Sequence, residues 1–310
     1  MKNLIQPQAL KKGDKIAVIA PAGKVDKTRV EKALSVFSDW DLNVVTGKYL
    51  YEENHSFAGS DAQRLEDFQN MLNNSQIRAI VCARGGYGIT RILDQVDFTQ
   101  FVKKPKWIVG YSDITALHGT LQQLGIQSIH GPMPIGFDPK NAADSLESLR
   151  KILFGEKYSI EADSSTYNRY GVSKGQVIGG NLSLLLNVMS TRSEPDYKDK
   201  ILFIEDIDEY LYQIDRLMVQ LKRSGKLAGL AGLVVGHFSA IKANESNPFG
   251  HSYQDIILEH TKEYSYPIAF NIPIGHEPDN LAVPCGARAT LLVDEEETRI
   301  NFDKTNSKAV

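Results

Sequence analysis

Residues 107–124, WIVGYSDITALHGTLQQL, place a short strand, a tight turn and a helix in direct succession. The apolar run Trp107-Ile108-Val109 predicts the strand, and the segment from Asp113 to Leu124 predicts the helix. A strand that turns at once into a helix is the repeating unit of parallel sheets covered by helices. This stretch therefore predicts an α/β fold.

The same alternation extends through the first half of the chain. Short β-branched runs alternate with amphipathic segments, and short turns join them. The further predicted strands are Lys15–Ala20, Leu42–Val45, Arg78–Cys82 and Gln127–His130, and the further predicted helices are Asp26–Trp40, Ser60–Asn73 and Ile89–Leu93. We therefore expect a Rossmann-like parallel sheet in an N-terminal domain, residues 1–154. Ligand sites on such sheets lie beyond the carboxyl ends of the strands.

A chain of 310 residues is long for one core, so we expect a second domain. Residues 138–172 lack periodicity, apart from a predicted helix at residues 145–154, and are interpreted as the connection. Beyond them we predict the strands Gly175–Ile178, Ile201–Ile204 and Leu230–Val235, the helices Leu182–Met189, Asp208–Arg223 and Tyr253–Thr261, and a closing hairpin of Thr290–Val293 with Arg299–Phe302. These elements predict a mixed α/β C-terminal domain, residues 155–310.

The composition and charge of the chain indicate which classes of partner the protein does not bind. Apolar residues make up 42% of the chain and charged residues 24%, which is typical of a soluble globular protein. The net charge is −3 and no long basic run occurs, so we expect no nucleic-acid partner. No apolar stretch approaches the about 18 residues of a membrane span, and Met1 to Leu10 do not form a signal peptide. We therefore expect no membrane partner and a cytoplasmic location.

Cysteine usage and motif content bear on metal and redox chemistry. The two cysteines, Cys82 and Cys285, are too few to cross-link a chain of this length, which favours a reducing compartment. The sequence has no H-E-x-x-H motif, no paired cysteine spacing and no close cluster of histidine and aspartate. We therefore expect neither a metal ion nor a cofactor.

Ser112 lies on the turn between the strand and the helix of the opening stretch. A serine at such a turn projects its hydroxyl above the sheet, and the helix N-terminus offers unpaired N–H groups to a developing oxyanion. The turn Gly110-Tyr111-Ser112-Asp113 differs in spacing from the G-x-S-x-G motif. From this tetrapeptide alone, capping of the helix by Ser112 or Asp113 is the simpler interpretation. Ser112 is therefore a candidate nucleophile with a structural alternative.

A serine nucleophile needs a base, and several histidines are available. His276 lies in Pro273-Ile274-Gly275-His276-Glu277-Pro278, where glycine and two prolines restrain the loop. His237, at the end of a predicted strand, competes for the same role. His118 and His130 are near the predicted cleft, but structural roles explain them equally well.

The base in turn needs a carboxylate to orient it. Glu205 and Asp206 follow the apolar residues Phe203 and Ile204 at the end of a buried-looking strand. A carboxylate in that position is costly unless it is paired or functional. Asp206 can instead cap the next helix.

A glycine-rich turn, Arg84-Gly85-Gly86-Tyr87-Gly88, follows the strand that ends at Cys82. It would let main-chain N–H groups approach a ligand, as a phosphate cradle or as half of an oxyanion hole. It lacks the Lys-Ser/Thr of a P-loop and does not match G-x-G-x-x-G, which disfavours nucleotide binding.

Together these segments resemble the LD-carboxypeptidase family of serine peptidases, which includes the microcin-immunity peptidases. The matching pieces occur in family order across nearly the whole chain: Ala20-Pro21-Ala22-Gly23, Arg84-Gly85-Gly86-Tyr87-Gly88, Gly110-Tyr111-Ser112-Asp113, His130-Gly131-Pro132, Gly179-Gly180-Asn181, Phe203-Ile204-Glu205-Asp206 and Pro273-Ile274-Gly275-His276. Seven ordered matches are far more specific than any single one.

The resemblance implies a role for each main residue. It implies Ser112 as the nucleophile, His276 as the general base and Glu205 as the acid that orients His276. It also implies an oxyanion hole formed by the main-chain N–H groups of Gly86 and Asp113. The family further implies an active site in the cleft between the two domains, and a homodimer.

The implied substrate is a murein tetrapeptide, cut between diaminopimelate or lysine and the terminal D-alanine. Arg84 and Tyr87 are candidate substrate contacts, although a structural ion pair is the alternative for Arg84. A microcin-immunity-like peptidase that cleaves peptide–nucleotide conjugates is one competing function. Such enzymes stack the base on an aromatic side chain, and neither Trp40 nor Trp107 is placed for that in the predicted elements, although a tyrosine or phenylalanine could take that role. A non-catalytic protein that binds small ligands is the alternative of another class.

Overall fold

The computed structural model describes residues 4–137, 140–244, 246 and 248–303. Residues 138 and 139 of the predicted connection, the start of the first predicted domain (residues 1–3) and the end of the second (residues 304–310) lie outside the described residues. Two sheets organise the described chain, one of six strands and one of seven. No helix in the described part of the chain is both long and apolar enough to cross a membrane.

The first sheet has the strand order β11-β5-β4-β3-β1-β2. Strands β1 to β5 are mutually parallel, and only β11 is antiparallel to its neighbour. The strands are β1 (Lys15–Ile19), β2 (Asn43–Thr46), β3 (Ile77–Cys82), β4 (Trp107–Gly110), β5 (Ser128–His130) and β11 (Val283–Cys285). The predicted Rossmann-like parallel sheet is therefore confirmed, with one strand added from the distant C-terminal half.

Helices cover both faces of this sheet because alternate residues of its strands are apolar on both sides. Ile16 and Val18 of β1 pack toward one face, and Ala17 and Ile19 toward the other. The helices of this half are α1 (Lys27–Asp39), α2 (Asp61–Asn73), α3 (Ile89–Ile92), α4 (Thr115–Gln123) and α5 (Ala143–Leu153). Helices α1 and α5 contribute to the first core, and α2, α3 and α4 to the second.

The strand order locates the ligand edge of the first sheet. An order of 2-1-3-4-5 places the point where the winding direction reverses between β1 and β3, and ligands bind outside the carboxyl ends of the strands at such a point. The turn that follows β1 meets the glycine-rich turn that follows β3, since Gly23 N donates to Gly85 O at 2.9 Å. The turn after β4, which holds Ser112, lies at the same edge.

The second sheet has the order β10-β9-β8-β7-β12-β13-β6 and is mixed. Strands β7 to β10 are parallel, whereas β12, β13 and β6 are antiparallel. The strands are β6 (Ser159–Asp163), β7 (Gly171–Asn181), β8 (Lys200–Ile207), β9 (Gly232–Ser239), β10 (Ile268–Ala269), β12 (Arg288–Val293) and β13 (Glu297–Phe302). The predicted mixed α/β second half is confirmed.

The two faces of the second sheet are covered differently. One face packs against the helices α6 (Leu182–Asn187), α7 (Leu211–Arg223) and α8 (Tyr253–Thr261). The opposite face packs against Ile272 and Ile274 of the chain between β10 and β11, and against Val283 of β11. That segment leaves the second sheet at β10 and joins the first sheet at β11, so it physically connects the two sheets.

Several predicted boundaries differ from the structure. The stretch predicted as an aperiodic connection contains β6, which forms the edge of the second sheet beside β13. The helix predicted from Asp208 starts only at Leu211, because Asp208 adopts a positive φ of 67° that interrupts the backbone. The short strands β10 and β11 were not predicted, since two or three residues carry no readable periodicity.

Candidate active site

Ser112 occupies a strained turn. It follows β4 directly and has a φ of 63°, the left-handed region that costs a non-glycine residue about 1–2 kcal/mol. Residues 112–114 form one tight turn that leads into α4, and no side chain caps the start of either element. The capping interpretation is therefore wrong for Ser112. Ser112 instead lies at the carboxyl end of β4, with the strained backbone that is typical of a nucleophile elbow.

The Asp113 side chain also does not cap its own helix. It is 1% exposed, and Oδ2 accepts a hydrogen bond from Ile89 N at 2.8 Å. Burial raises the pKa of this carboxyl to about 6, although the N–H groups of Ile89 and Gly88 and the charge of Arg64 favour its ionised form. Asp113 thus joins the Ser112 turn to the end of the glycine-rich turn.

The glycine-rich turn lies against Ser112. A Cβ atom on Gly85 would lie 3.0 Å from Ser112 Cβ and 3.2 Å from Asp113 N, so any side chain there would press against the Ser112 turn. The carbonyl of Gly85 accepts from Gly23 N, and a trans peptide points its N–H opposite to its C=O. The N–H of Gly86 is therefore directed away from Gly23.

Two main-chain donors remain free at this turn. Within the described residues, no acceptor bonds the N–H of Gly86 or that of Asp113. Buried N–H groups are normally paired, and Asp113 is buried. Both N–H groups belong to the turns that meet around Ser112, so the arrangement leaves two donors for an anion.

Glu205 and His276 form a buried pair. Glu205 is fully buried in β8, and its Oε2 lies 2.6 Å from His276 Nδ1. Two glycines allow this approach, since a Cβ on Gly236 would lie 3.3 Å, and one on Gly275 3.0 Å, from Glu205 Cβ. Phe203 and Glu205 share a strand face by alternation, the face covered by the segment that contains His276.

The His276 loop is held by main-chain and side-chain hydrogen bonds. Asn280 Oδ1 accepts from Gly275 N at 3.0 Å, His237 N donates to Ile274 O at 2.8 Å, and Leu281 N donates to Pro273 O at 2.7 Å. Asn280 was not predicted, and an asparagine in a loop rich in glycine and proline was the available signal. These contacts restrain the backbone on both sides of His276.

The net effect of the surroundings is to raise the pKa of His276. Burial alone lowers the pKa, but the hydrogen bond and charge of Glu205, together with the charges of Asp206 and Glu277, outweigh burial. Nδ1 donates to Glu205, so the second ring nitrogen, Nε2, is the one left to exchange a proton. This is the orientation a general base requires.

Contacts between the halves bring the pair to the Ser112 turn. The ring of Tyr111 lies 4.9 Å from the His276 ring, centroid to centroid. Burial, with a further contribution from the charge of Glu205, raises the pKa of Tyr111 to about 12. Asn181 N, at the end of β7, donates to Thr115 Oγ1 at 3.1 Å. Tyr111 is a contact the sequence analysis missed, although it stands in the quoted motif.

The other histidines near the site are not paired with Glu205. His237 Nε2 lies 3.3 Å from Asp279 Oδ1, so His276 rather than His237 is paired with Glu205. His118 contacts Ser128 Oγ and Gly110 O, both at 2.8 Å, and burial lowers its pKa to about 4. His130 is fully buried between aromatic rings, and burial lowers its pKa well below the ordinary value.

Asp206 has a structural position beside the pair. Its carboxylate accepts hydrogen bonds from Asn181 Nδ2 at 2.8 Å and from Ser183 N at 2.9 Å. These bonds are at the start of α6, so the predicted capping of the following helix, α7, is wrong. Burial raises the pKa of Asp206 to about 6, against the effect of these donors.

The two candidate substrate contacts lie on the surface of the glycine-rich turn. Arg84 is exposed, and its Nη1 donates to Lys24 O at 2.8 Å. It forms no ion pair with any described residue, so the structural ion pair considered for it is not found. Tyr87 is 57% exposed, and its ring lies 5.8 Å from that of Phe57.

The donor set suits acyl transfer. A serine, an imidazole–carboxylate pair and two free N–H groups are the parts that serine hydrolases combine. In the described part of the chain, no three His, Cys, Asp or Glu side chains are grouped so as to hold a metal ion.

Two family models match the chain. Residues 16–131 match the LD-carboxypeptidase N-terminal domain, and residues 174–291 match the LD-carboxypeptidase C-terminal domain. Ser112 lies in the first range, and Glu205 and His276 lie in the second. The predicted boundary at residue 154 falls between the two ranges.

Curated and solved proteins resemble the whole chain. The probable murein peptide carboxypeptidase of Bacillus subtilis strain 168 is 38% identical over 301 residues, which cover 94% of this chain and 92% of that protein. The crystal structure of muramoyltetrapeptide carboxypeptidase from Oxalobacter formigenes is 29% identical, with a TM-score of 0.85, and covers 93% of this chain and 98% of that one. The microcin C7 self immunity protein MccF is 22% identical, with a TM-score of 0.86 over 98% of this chain and all of that one, and shows a shared fold.

The strain at Ser112 predicts an unusual order of stabilities. We expect Ser112→Gly to be more stable than Ser112→Ala by about 1 kcal/mol, because only glycine adopts a positive φ without a steric cost. Urea unfolding of both variants measures the difference. Ser35, an exposed residue of α1, is the control, and there glycine should be the less stable replacement. If the alanine variant were more stable than the glycine variant at both positions, the turn at Ser112 would not be strained.

The buried pair predicts a shift of one histidine pKa. We expect Glu205→Gln to lower the pKa of His276, because burial is then opposed only by the charges of Asp206 and Glu277. Imidazole proton resonances followed against pH by NMR report this, with His276→Ala assigning the signal. His118, which contacts Ser128 and Gly110 instead, should keep its lowered pKa in Glu205→Gln. An unchanged His276 titration would argue against the pairing.

Proposed function

This chain belongs to the LD-carboxypeptidase family, and we propose that it is a serine peptidase that removes the terminal D-alanine from a murein tetrapeptide. Ser112 is the nucleophile, His276 the general base and Glu205 the acid that orients it. The observation that carries this assignment is the 2.6 Å contact between His276 Nδ1 and Glu205 Oε2, next to a strained serine turn.

The reaction follows from these positions. Ser112 Oγ attacks the carbonyl carbon of the L-centred residue while His276 Nε2 takes the hydroxyl proton. The carbonyl oxygen becomes an oxyanion held by the N–H groups of Gly86 and Asp113. His276 then gives its proton to the nitrogen of D-alanine as the C–N bond breaks. A water molecule attacks the acyl-enzyme with His276 again as base, which releases the tripeptide and restores Ser112.

Glu205 acts through His276. Its charge stabilises the imidazolium that forms when the Ser112 proton is transferred, and the hydrogen bond fixes which ring nitrogen faces the serine. Full burial prevents water from weakening this interaction. The raised pKa of His276 makes it a stronger proton acceptor, although it needs a higher pH to be free of its proton.

The substrate proposal draws on the relatives. The Bacillus subtilis protein is named a probable murein peptide carboxypeptidase, and the Oxalobacter formigenes structure is a muramoyltetrapeptide carboxypeptidase. We propose that the bond cut here joins the L-centre of diaminopimelate or lysine to terminal D-alanine. Arg84 and Tyr87, on the turn that holds Gly86, are the proposed substrate contacts.

The competing functions receive less support. Trp107 is fully buried, and Trp40 packs against Phe37 with ring centroids 5.5 Å apart, so neither tryptophan is available to stack a base. A protein that only binds ligands has no need of a strained serine or of a buried imidazole–carboxylate pair, both of which cost stability.

The proposed site lies in a cleft between two domains, residues 1–154 and 155–310. The position of Ser112 on the first sheet, and of Glu205 and His276 on or beside the second, supports this division. The cytoplasmic location and the homodimer stay predictions of the sequence.

Product analysis tests the activity. The protein incubated with murein tetrapeptide should release one D-alanine per peptide, measured by mass spectrometry. We expect Ser112→Ala and His276→Ala to lower kcat by about 10⁶ and Glu205→Gln by about 10⁴, because the three groups act as a unit. His260→Ala is the matched control, since its imidazole also bonds a carboxylate, Asp215, and it should retain full activity.

A peptide that ends in L-alanine tests the stereochemistry and should remain intact. Release of D-alanine at the normal rate by Ser112→Ala would falsify the assignment of the nucleophile. Equal cleavage of both peptides would instead leave a serine peptidase without the proposed specificity.

A further inference from the structure

The proposed reaction uses the main-chain N–H of Asp113 but leaves its side chain without a task. That carboxylate is buried. Oδ2 accepts from Ile89 N, and the N–H of Gly88 also favours the ionised form, whereas Oδ1 has no hydrogen-bond partner in the described part of the chain. A buried carboxylate that is only partly paired is costly. Its position therefore calls for a reason other than stability.

The Asp113 carboxylate binds a turn that has no secondary structure of its own to hold its conformation. The turn Arg84–Gly88 lies between β3 and α3, outside any ladder or helix, and contains three glycines. Gly86 has a φ of 89° and Gly88 one of 146°, and glycine adopts positive φ about as readily as negative φ, so its own sterics do not hold these conformations. Contacts from outside the turn must hold it, and the direction of the Gly86 N–H depends on them.

Two buried side chains of opposite charge hold the same peptide unit. Arg64, which is 1% exposed, donates from Nη1 to Gly88 O at 2.8 Å and to Pro21 O at 2.7 Å. Asp113 Oδ2 accepts from Ile89 N, the N–H of that same Gly88–Ile89 peptide. Because a peptide unit is planar, a donor on its carbonyl and an acceptor on its N–H fix the orientation of the whole plane.

A third contact fixes the other end of the turn. Gly23 N donates to Gly85 O, and Arg64 also bonds Pro21 O in the same turn after β1. The Gly86 N–H belongs to the peptide unit that Gly23 holds, and the peptide unit that Arg64 and Asp113 hold lies three residues further along the same turn. Of these anchors, Asp113 alone belongs to the turn that also contains Ser112.

We propose that the carboxylate of Asp113 is a positioning group that aligns the Gly86 N–H with the N–H of Asp113 itself. One residue then sets both oxyanion donors: its N–H is one of them, and its side chain fixes the turn that carries the other. Arg64 assists by holding the carbonyl of the same peptide unit. The inference rests on the proposed function and adds to it how the two N–H groups of the oxyanion hole keep their relative orientation.

The test compares Asp113→Asn with a matched buried carboxylate. Asp67 is 4% exposed and accepts main-chain hydrogen bonds from Lys48 N at 2.9 Å and Tyr49 N at 2.8 Å, away from the Ser112 turn. We expect Asp113→Asn to lower kcat for tetrapeptide cleavage about 10- to 100-fold with little change in KM, a part of the effect of losing one donor. Asp67→Asn should lose similar stability on urea unfolding and keep its kcat.

A second measurement avoids dependence on the natural substrate. A fluorophosphonate reacts with the serine and places its phosphoryl oxygen in the oxyanion hole, so its labelling rate reports the donors directly. We expect slower labelling in Asp113→Asn, and in Arg64→Lys, which retains the charge but has one amine in place of the guanidinium fork. The Arg64 variant also keeps the test open if Asp113→Asn does not fold.

The outcomes separate the two proposals. The wild-type protein first has to cleave tetrapeptide and be labelled. If folded Asp113→Asn and Arg64→Lys then match its kcat and its labelling rate, the positioning role is overturned, but the proposed peptidase activity is not. If Asp67→Asn loses kcat as much as Asp113→Asn, the effect is one of general stability and the role is also overturned. A wild-type protein that neither cleaves nor is labelled overturns the proposed function and this inference with it.

Discussion

The hydrogen bond between the buried carboxylate of Glu205 and the imidazole of His276 is the interaction on which the rest of the site depends. A carboxylate in the middle of a sheet face is stable only with a partner, and no other donor bonds Glu205 in the described part of the chain. Gly236 and Gly275 leave the space for the pair, and the loop after β10 carries His276 across that face. The same loop ends in β11 on the first sheet, which ties the imidazole to the half of the chain that holds Ser112.

Several features of the site weaken the fold locally. Ser112 has a strained φ, Glu205 Oε1 and Asp113 Oδ1 are buried without a partner among the described residues, and the N–H of Asp113 has no acceptor there. Such costs persist where the surrounding structure over-determines the geometry, and they concentrate at functional sites. Here they converge on one small region at the edges of two sheets, which is the physical reason for assigning catalysis rather than simple binding.

The sequence was sufficient for the fold class and gave the residues proposed for the site, but not their mutual arrangement. Strand–helix alternation predicted the first sheet, and the ordered motifs predicted the family, which the comparisons confirm. Strand β11 and the Tyr111–His276 contact join residues far apart in the chain, and no local pattern encodes such pairings. Arg64 was not predicted as a site residue, because an arginine in an amphipathic helix is normally assigned to the solvent-exposed face. Its four-residue spacing from the buried Phe68 nevertheless indicated that it faces inward.

A crystal structure of the protein after reaction with a fluorophosphonate tests the assignment of Ser112, His276 and Glu205 most directly. We predict a phosphorus atom bonded to Ser112 Oγ, with the phosphoryl oxygen about 2.7–3.1 Å from the N atoms of Gly86 and Asp113. We also predict His276 Nε2 within hydrogen-bonding distance of Ser112 Oγ, with Nδ1 still bonded to Glu205. An adduct whose oxygen faces solvent, with the imidazole of His276 remote from the serine, would contradict the assignment.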